Sequence, residues 1–160
     1  MMFQPPTPCY LSVPHIQQMY PGDCLAACAA MCLSYLGIRY RYQRLLRQLE
    51  VDVNEGAIFG NIQNLKMRGV SITKQEYGTW DDLYQILING WPCILNVEAR
   101  ELPHWSQVTS AHAVVLVAIE ENYVYINDPI LPIGSARVSI GEMDLAWLEK
   151  NERYAVIYRS

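Results

Sequence analysis

The strongest local signal in the chain lies at residues 18–37, QMYPGDCLAACAAMCLSYLG. A Pro-Gly pair marks a turn, and Asp23 stands where a helix N-cap is preferred. The residues that follow are rich in Ala, Leu and Met up to Gly37, a residue type that commonly ends helices. The segment predicts a turn followed by a mostly buried helix over residues 24–36, with Cys24 at its first position.

A cysteine at the first position of a helix is suited to act as a nucleophile. The backbone N–H groups and the helix dipole at that end favour an anion, and therefore the thiolate over the thiol. The alternative is that Cys24 is a small apolar residue packed at a helix start. The chain has five cysteines, an odd number, so at least one thiol stays free under any pairing. Cys24 is the candidate for a reactive free thiol.

Helices are predicted mainly in the first half of the chain and strands in the second. After the first helix, further helices are expected at 45–49, 59–67 and 80–87, and a strand at 70–73. The later strands are β-branched or aromatic-rich segments separated by Pro, Gly and Asn turns, at 92–97, 113–119, 123–127, 136–140 and 154–158. This order favours an α+β fold, with an N-terminal helical half packed on a C-terminal antiparallel sheet. The length predicts a single domain over residues 1–160.

Composition and charge exclude several classes of protein. The chain is 51% hydrophobic and 18% charged, which excludes a disordered protein. A net charge of −4, without runs of Lys or Arg, argues against nucleic acid as a direct ligand. The proline-punctuated N-terminus does not resemble a signal peptide, and no apolar run reaches the ~20 residues of a membrane span. We expect a cytoplasmic protein, or one delivered to a target-cell cytoplasm by signal-peptide-independent secretion.

The base that a cysteine nucleophile needs is best supplied by His112, one of three histidines. His112 precedes an apolar strand that a short loop joins to a second strand ending at Asp128. With Asn122 in the left-handed conformation, Ile119 faces Tyr123, and the same register makes His112 and Asp128 diagonal neighbours on one face. Asp128 could then orient the imidazole while the other ring nitrogen faces a thiol. The alternative is a histidine whose hydrogen bond is only structural.

A third requirement of acyl transfer is a pair of donors for the oxyanion. Gln18 lies shortly before Cys24, across the Pro-Gly turn, so its side-chain amide could join the Cys24 backbone N–H in holding a tetrahedral oxygen. Gln17 is the adjacent competitor, and either residue alone would be an ordinary loop glutamine.

Two other features have plain structural interpretations. Cys24, Cys28 and Cys32 are spaced at i, i+4 and i+8, and with a histidine they could in principle bind a metal. The CxxC spacing of common zinc sites is absent, so we expect no metal, and we assign Cys28 and Cys32 to the core. His104 lies in a loop before the His112 strand. We interpret it as a surface histidine, with a place along the cleft as the alternative.

The chain resembles the papain-like bacteriocin-leader peptidases, the double-glycine peptidases usually fused to ABC exporters. The resemblance begins in residues 18–37 and continues through NEGAIFGNI, LKMRGV, NGWPCILNV, SAHAVVLVAI and VYINDP in the same order. It implies a papain-like fold, Cys24 as nucleophile, His112 as general base and acid, Asp128 as orienting carboxylate and Gln18 as oxyanion donor. It also implies no cofactor, and a protein or peptide substrate cleaved after a Gly-Gly pair.

The chain departs from the family pattern in two respects. Leu25 stands where these peptidases usually have Gly, which affects the shape of the substrate cleft. No transporter follows Ser160, so we expect an excised domain or a free-standing enzyme.

Other functions can use the same Cys-His-Asp chemistry. Deamidases, transglutaminases and acyltransferases share it, because any amine or water can resolve an acyl-thioester. The main alternative is an antibacterial effector toxin, a protease or glutamine deamidase, that is neutralised by an immunity protein. A non-catalytic binding domain is a third possibility, against which the intact set of Cys24, His112 and Asp128 argues.

Overall fold

The computed structural model describes residues 5, 7–105 and 110–160. The helices are α1 (Cys24–Tyr35), α2 (Tyr42–Gln48), α3 (Trp80–Ile88) and α4 (Ile140–Leu148), and short 3-10 helices lie at Phe59–Asn64 and Ala99–Glu101. The strands are β1 (Cys9–Tyr10), β2 (Val70–Gln75), β3 (Cys93–Glu98), β4 (Ala111–Ile119), β5 (Tyr123–Asn127), β6 (Ala136–Ser139) and β7 (Tyr154–Arg159).

The seven strands form one antiparallel sheet. Six of them lie side by side in the order β2-β7-β3-β4-β5-β6, and the two-residue β1 pairs with the end of β4 that β3 does not reach. The helical half packs against this sheet, so the predicted α+β fold is confirmed.

Helices cover both faces of the sheet. On β4, Ala113, Val115 and Val117 face the core built around α1, whereas Val114 and Leu116 face a second core built around α3 and α4. A strand between two apolar layers has no solvent face, so its side chains need not alternate between apolar and polar. This accounts for the uninterrupted apolar sequence of β4 that follows the candidate histidine, His112.

Helix α1 is the centre of the first core. All of its residues from Leu25 to Leu33 are buried, which explains why the helix carries no charged side chain. It ends one residue earlier than predicted, and Gly37 adopts the left-handed φ of +72° just beyond it. The position of Cys24 at the start of α1 is as predicted.

The structure corrects several predicted elements. The helix expected at 59–67 is a 3-10 helix over Phe59–Asn64, and α2 begins at Tyr42, before the predicted start. Helix α4 and strand β1 were not predicted. Within the described residues, every helix falls short of the length and hydrophobicity that crossing a bilayer requires.

Candidate active site

The structure brings together Cys24, His112 and Asp128. Cys24 is partly buried at the start of α1, and its thiol interacts with the imidazole of His112, the second residue of β4. The Nε2 atom of His112 lies 2.6 Å from Oδ1 of Asp128, which directly follows β5. Because Nε2 is engaged with Asp128, Nδ1 is the nitrogen left for the thiol.

The register of the β4–β5 hairpin places His112 and Asp128 side by side. Val115 pairs with Asn127, in the register that was predicted for this end of the hairpin. Towards the turn the prediction was wrong, because a bulge between Leu116 and Ala118 shifts the pairing by one residue. The bulge lies between the site and the turn, so the end that carries the site keeps the predicted register. Asn122 has the predicted left-handed conformation, with φ at 75°.

Buried hydrogen bonds determine the protonation states of His112 and Asp128. Burial alone would lower the pKa of His112, but its hydrogen bonds to Asp128 and Cys24, together with their charges, raise the pKa to about 10. Burial would raise the pKa of Asp128, but the hydrogen bonds from His104 and His112 hold it well below its usual range. The arrangement therefore favours a buried carboxylate facing an imidazolium, with Cys24 on the other side of the ring.

Asp128 has a second histidine partner that the sequence interpretation missed. His104 Nε2 lies 2.6 Å from Oδ2 of Asp128, and the histidine side chain is 19% exposed. The interpretation of His104 as a surface histidine was therefore wrong. The next residue, Trp105, places its ring 4.6 Å from that of His112, tilted by 48°. His104 and Trp105 thus both contact the His112–Asp128 pair.

The backbone of Gln18 contacts the turn that follows Asp128, but its side-chain amide is bonded to carbonyl groups of its own loop. Its backbone N–H donates to the carbonyl of Pro129, next to Asp128, over 2.8 Å. Its Nε2 donates to the carbonyl oxygens of Tyr20, at 2.8 Å, and Pro21, at 3.1 Å. Its Oε1 is buried without a hydrogen-bond partner among the described residues. The competitor Gln17 instead reaches the carbonyl of Ile130 with its Nε2, over 3.4 Å.

Asp23 stabilises the turn between Gln18 and Cys24. It occupies the N-cap position of α1, but its side chain does not cap the helix. Its carboxylate instead accepts hydrogen bonds from the backbone N–H groups of Met19, at 3.1 Å, and Tyr20, at 3.0 Å. The hydroxyl of Tyr42 on α2 donates to the same carboxylate over 2.5 Å. Asp23 therefore ties the turn before Cys24 to the second helix.

Cys24 and His112 line a cleft of about 410 Å³. Its apolar wall contains Leu25, Ala57, Ile58 and Phe59, of which Ile58 is 77% exposed. The lining also includes four charged side chains, namely Lys74, Glu76, Lys150 and Arg153. Two of them form an ion pair, with Arg153 Nε 3.1 Å from Glu76 Oε1.

Three of the remaining cysteines are buried in the two cores. Cys28 and Cys32 are fully buried in the α1 core, which confirms their predicted packing role, and Cys93 is buried in the second core. All five cysteines are free thiols. In the described part of the chain, no group of three or more His, Cys, Asp or Glu side chains is arranged to hold a metal ion.

Three solved structures are similar to the chain over almost its full length. A C39-like peptidase from Bacillus anthracis is 20% identical with a TM-score of 0.77, and the match covers 96% of this chain and 98% of that one. A double glycine motif protease from an AMS/PCAT transporter, in complex with the leader peptide, is 23% identical with a TM-score of 0.72, covering 99% and 100%. The peptidase domain of Streptococcus ComA, a bi-functional ABC transporter involved in a quorum sensing pathway, is 17% identical with a TM-score of 0.70, covering 91% and 98%. At these identities the likeness shows the fold.

An α+β fold of this kind, with a cysteine at a helix start facing a histidine–aspartate pair, defines the class of papain-like peptidases. The Peptidase_C39 like family matches residues 10–154. The chain therefore belongs to this family, and by membership it is a cysteine peptidase, as the resemblance in its sequence implied. No curated protein is significantly similar to it.

Proposed function

We propose that the chain is an endopeptidase that cleaves a protein or peptide through an acyl-enzyme on Cys24. The observation that carries this proposal is the position of His112, which interacts with Cys24 and lies with its Nε2 atom 2.6 Å from Oδ1 of Asp128. It supplies a thiol with an adjacent base, and the base with a carboxylate that orients it. The buried carboxylate also stabilises the imidazolium that proton transfer creates.

The proposed reaction uses these groups in turn. His112 Nδ1 takes the proton of Cys24, and the thiolate attacks the carbonyl carbon of the scissile peptide bond. The tetrahedral intermediate collapses to a thioester as His112 gives the proton to the leaving amine. A water molecule, deprotonated by His112, then attacks the thioester, and the departing sulfur is left as the thiolate beside the imidazolium.

Gln18 and the Cys24 backbone N–H are the proposed donors to the oxyanion. Gln18 is tied to the site by its backbone bond to Pro129, next to Asp128. Its side-chain amide donates to the carbonyls of Tyr20 and Pro21, so holding an oxyanion requires the amide to turn away from one of them. A Gln18→Ala variant should therefore lose kcat by about 100-fold or more with little change in KM.

The proposed preference is for cleavage after a Gly-Gly pair in a protein or peptide. The similarity to a double glycine motif protease, solved with a leader peptide, supports this class of substrate. The cleft supports it as well, because the buried Leu25 and the small residues Ala57 and Ala113 line it together with Cys24. Residues without side chains would let a substrate backbone approach Cys24 closely.

A matched peptide pair tests the proposal. One peptide contains Gly-Gly, the other Ala-Ala at the same place, and mass spectrometry identifies the new N-termini. We expect cleavage after Gly-Gly at least 10-fold faster than after Ala-Ala. Cys24→Ala should abolish cleavage, whereas Cys28→Ala, the same substitution one helical turn further on, should retain it. Cleavage by the Cys24→Ala variant would overturn the assignment of the nucleophile.

A lysate experiment separates cleavage from the other reactions expected of this chemistry. Deamidation and transglutamination act on side chains and leave no new N-terminus, whereas cleavage does, and the sequence at that terminus names the substrate. No specific observation favours an effector-toxin role or an immunity protein as partner. New N-termini that follow Gly-Gly in the wild-type sample alone would support the proposal, and deamidated glutamines in their place would contradict it.

A further inference from the structure

We propose that His104 is a positioning residue that holds Asp128 against His112. The inference rests on the proposed function, because it assumes that His112 serves Cys24. Three donors converge on the Asp128 carboxylate: His112 Nε2 on Oδ1 at 2.6 Å, the Ile130 N–H on Oδ1 at 3.0 Å, and His104 Nε2 on Oδ2 at 2.6 Å. Among these, His104 alone engages Oδ2.

The protonation of the two rings follows from this geometry. An ionised carboxylate only accepts hydrogen bonds, so both Nε2 atoms must carry a proton. For His112 this leaves Nδ1 towards Cys24, which is the tautomer that the reaction needs in the neutral ring. With His104 in place, each carboxylate oxygen has its own histidine donor. Rotation of the carboxylate about its Cβ–Cγ bond would break both of these bonds at once.

The described residues on both sides of His104 make several anchoring contacts. The buried Glu98 accepts hydrogen bonds from the backbone N–H of Arg100, at 3.3 Å, and of Ser110, at 2.8 Å, one on each side of His104. Leu102 is buried in the second core, and Trp105 lies on the His112 ring. These contacts hold residues 99–105 where His104 meets Asp128.

The charged and titratable groups around Asp128 determine how a displacement of its carboxylate would change the titration of His112. The titratable side chains that interact with it are His112 from β4, His104 from the preceding segment and Cys28 from α1. Without the His104 donor, Asp128 can turn so that it no longer faces His112 squarely. The imidazolium then loses part of its stabilisation, and we expect His112 to titrate at lower pH than in the wild type.

Two substitutions separate positioning from packing. His104→Phe keeps an aromatic ring of similar size but removes the donor, whereas His104→Gln keeps an N–H donor of similar reach. We expect His104→Phe to lower kcat about 10-fold and to change KM by less than about 2-fold. The His104→Gln variant should keep most of the wild-type kcat. Thermal melting of each variant establishes that it is folded.

The decisive readout is the titration of His112, followed by NMR of the imidazole rings. The chain has only three histidines, so substitution assigns each signal. Recorded in the Cys24→Ala background, this measurement needs no activity and is independent of the proposed reaction. We expect the His112 midpoint to fall in the His104→Phe variant and to recover in the His104→Gln variant. An unchanged or raised midpoint in a folded His104→Phe protein would overturn the proposal.

Discussion

Replacing Gly22 by alanine should both destabilise the protein and slow the proposed cleavage. Gly22 lies two residues before Cys24, and its N–H donates to the carbonyl of Val53 over 2.8 Å. A Cβ atom at this position would lie 2.2 Å from the carbonyl oxygen of Asp52 and 2.6 Å from the nitrogen of Gly56. Both are backbone atoms, so no side-chain rotation can relieve the overlap.

The size of the effect follows from these distances. Ordinary contact begins at about 3.4 Å, so the loop of residues 52–56 must retreat by about 1 Å. Overpacking of this kind costs about 1 to 3 kcal/mol, and for a chain of this length that lowers Tm by about 3 to 10 °C. The same loop leads directly into Ala57 and Ile58 on the cleft wall, so the displacement should also reach the substrate. We expect kcat/KM to fall by about 10- to 100-fold.

Thermal melting and cleavage of the Gly-Gly peptide measure both effects. Gly141→Ala is the matched control, because a Cβ there meets nothing within 4 Å and α4 accommodates alanine. This control should melt at or slightly above the wild-type temperature and keep its activity. If Gly22→Ala melted within about 1 °C of the wild type and kept full activity, the close approach of the two loops would not matter as argued.

Three further perturbations follow from the buried contacts. Cys28→Ala should lower the free energy of unfolding by about 1 to 2 kcal/mol in urea denaturation and leave kcat unchanged; a tenfold loss of kcat would show that Cys28 serves the chemistry. Tyr42→Phe removes a donor to Asp23 and should cost about 1 to 2 kcal/mol, together with a few-fold loss of kcat as the turn before Cys24 loosens. Full wild-type stability in this variant would refute that role of the tyrosine. Because folding raises the pKa of His112 from 6.5 to about 10, its stabilising contribution is complete below pH 6.5 and is lost as pH rises through about 10. The wild type should therefore lose, between pH 6.5 and 10, on the order of a few kcal/mol more than His112→Gln, and parallel losses in urea denaturation would contradict the raised pKa.

The helix start at Cys24 and the His112–Asp128 pair could be predicted because each depends on local sequence, whereas the meeting of Cys24 with His112 was expected from their chemistry and the family resemblance. A turn followed by an apolar run specifies the helix start, and a short loop between two strands specifies the hairpin register near the site. The bulge between Leu116 and Ala118 could not be predicted, since nothing in an uninterrupted apolar strand marks where an extra residue will sit. It left the site intact because the shift is confined to the turn side of the strand.

Contacts between loops that are distant in sequence could not be predicted, because local sequence patterns carry no signal for them. His104 meets Asp128 across 24 positions, from a segment without helical or strand periodicity. The sequence indicates a turn at Gly22, but the requirement for glycine there is the approach of the Asp52 loop. Helix α4 did carry a usable signal, because Ser139 caps it by accepting from the N–H of Glu142. The predicted strand at 136–140 ran through this cap and hid it.

Covalent trapping tests the central claim that Cys24 is the activated nucleophile. A peptide vinyl sulfone ending in Gly-Gly would be incubated with the protein, and the modified cysteine identified by fragmentation in mass spectrometry. Only Cys9 and Cys24 among the five thiols are partly exposed, so labelling of one or the other is informative. The account predicts a single adduct on Cys24 that His112→Gln slows by at least tenfold. An adduct on Cys9, or labelling of Cys24 that His112→Gln leaves unchanged, would contradict it.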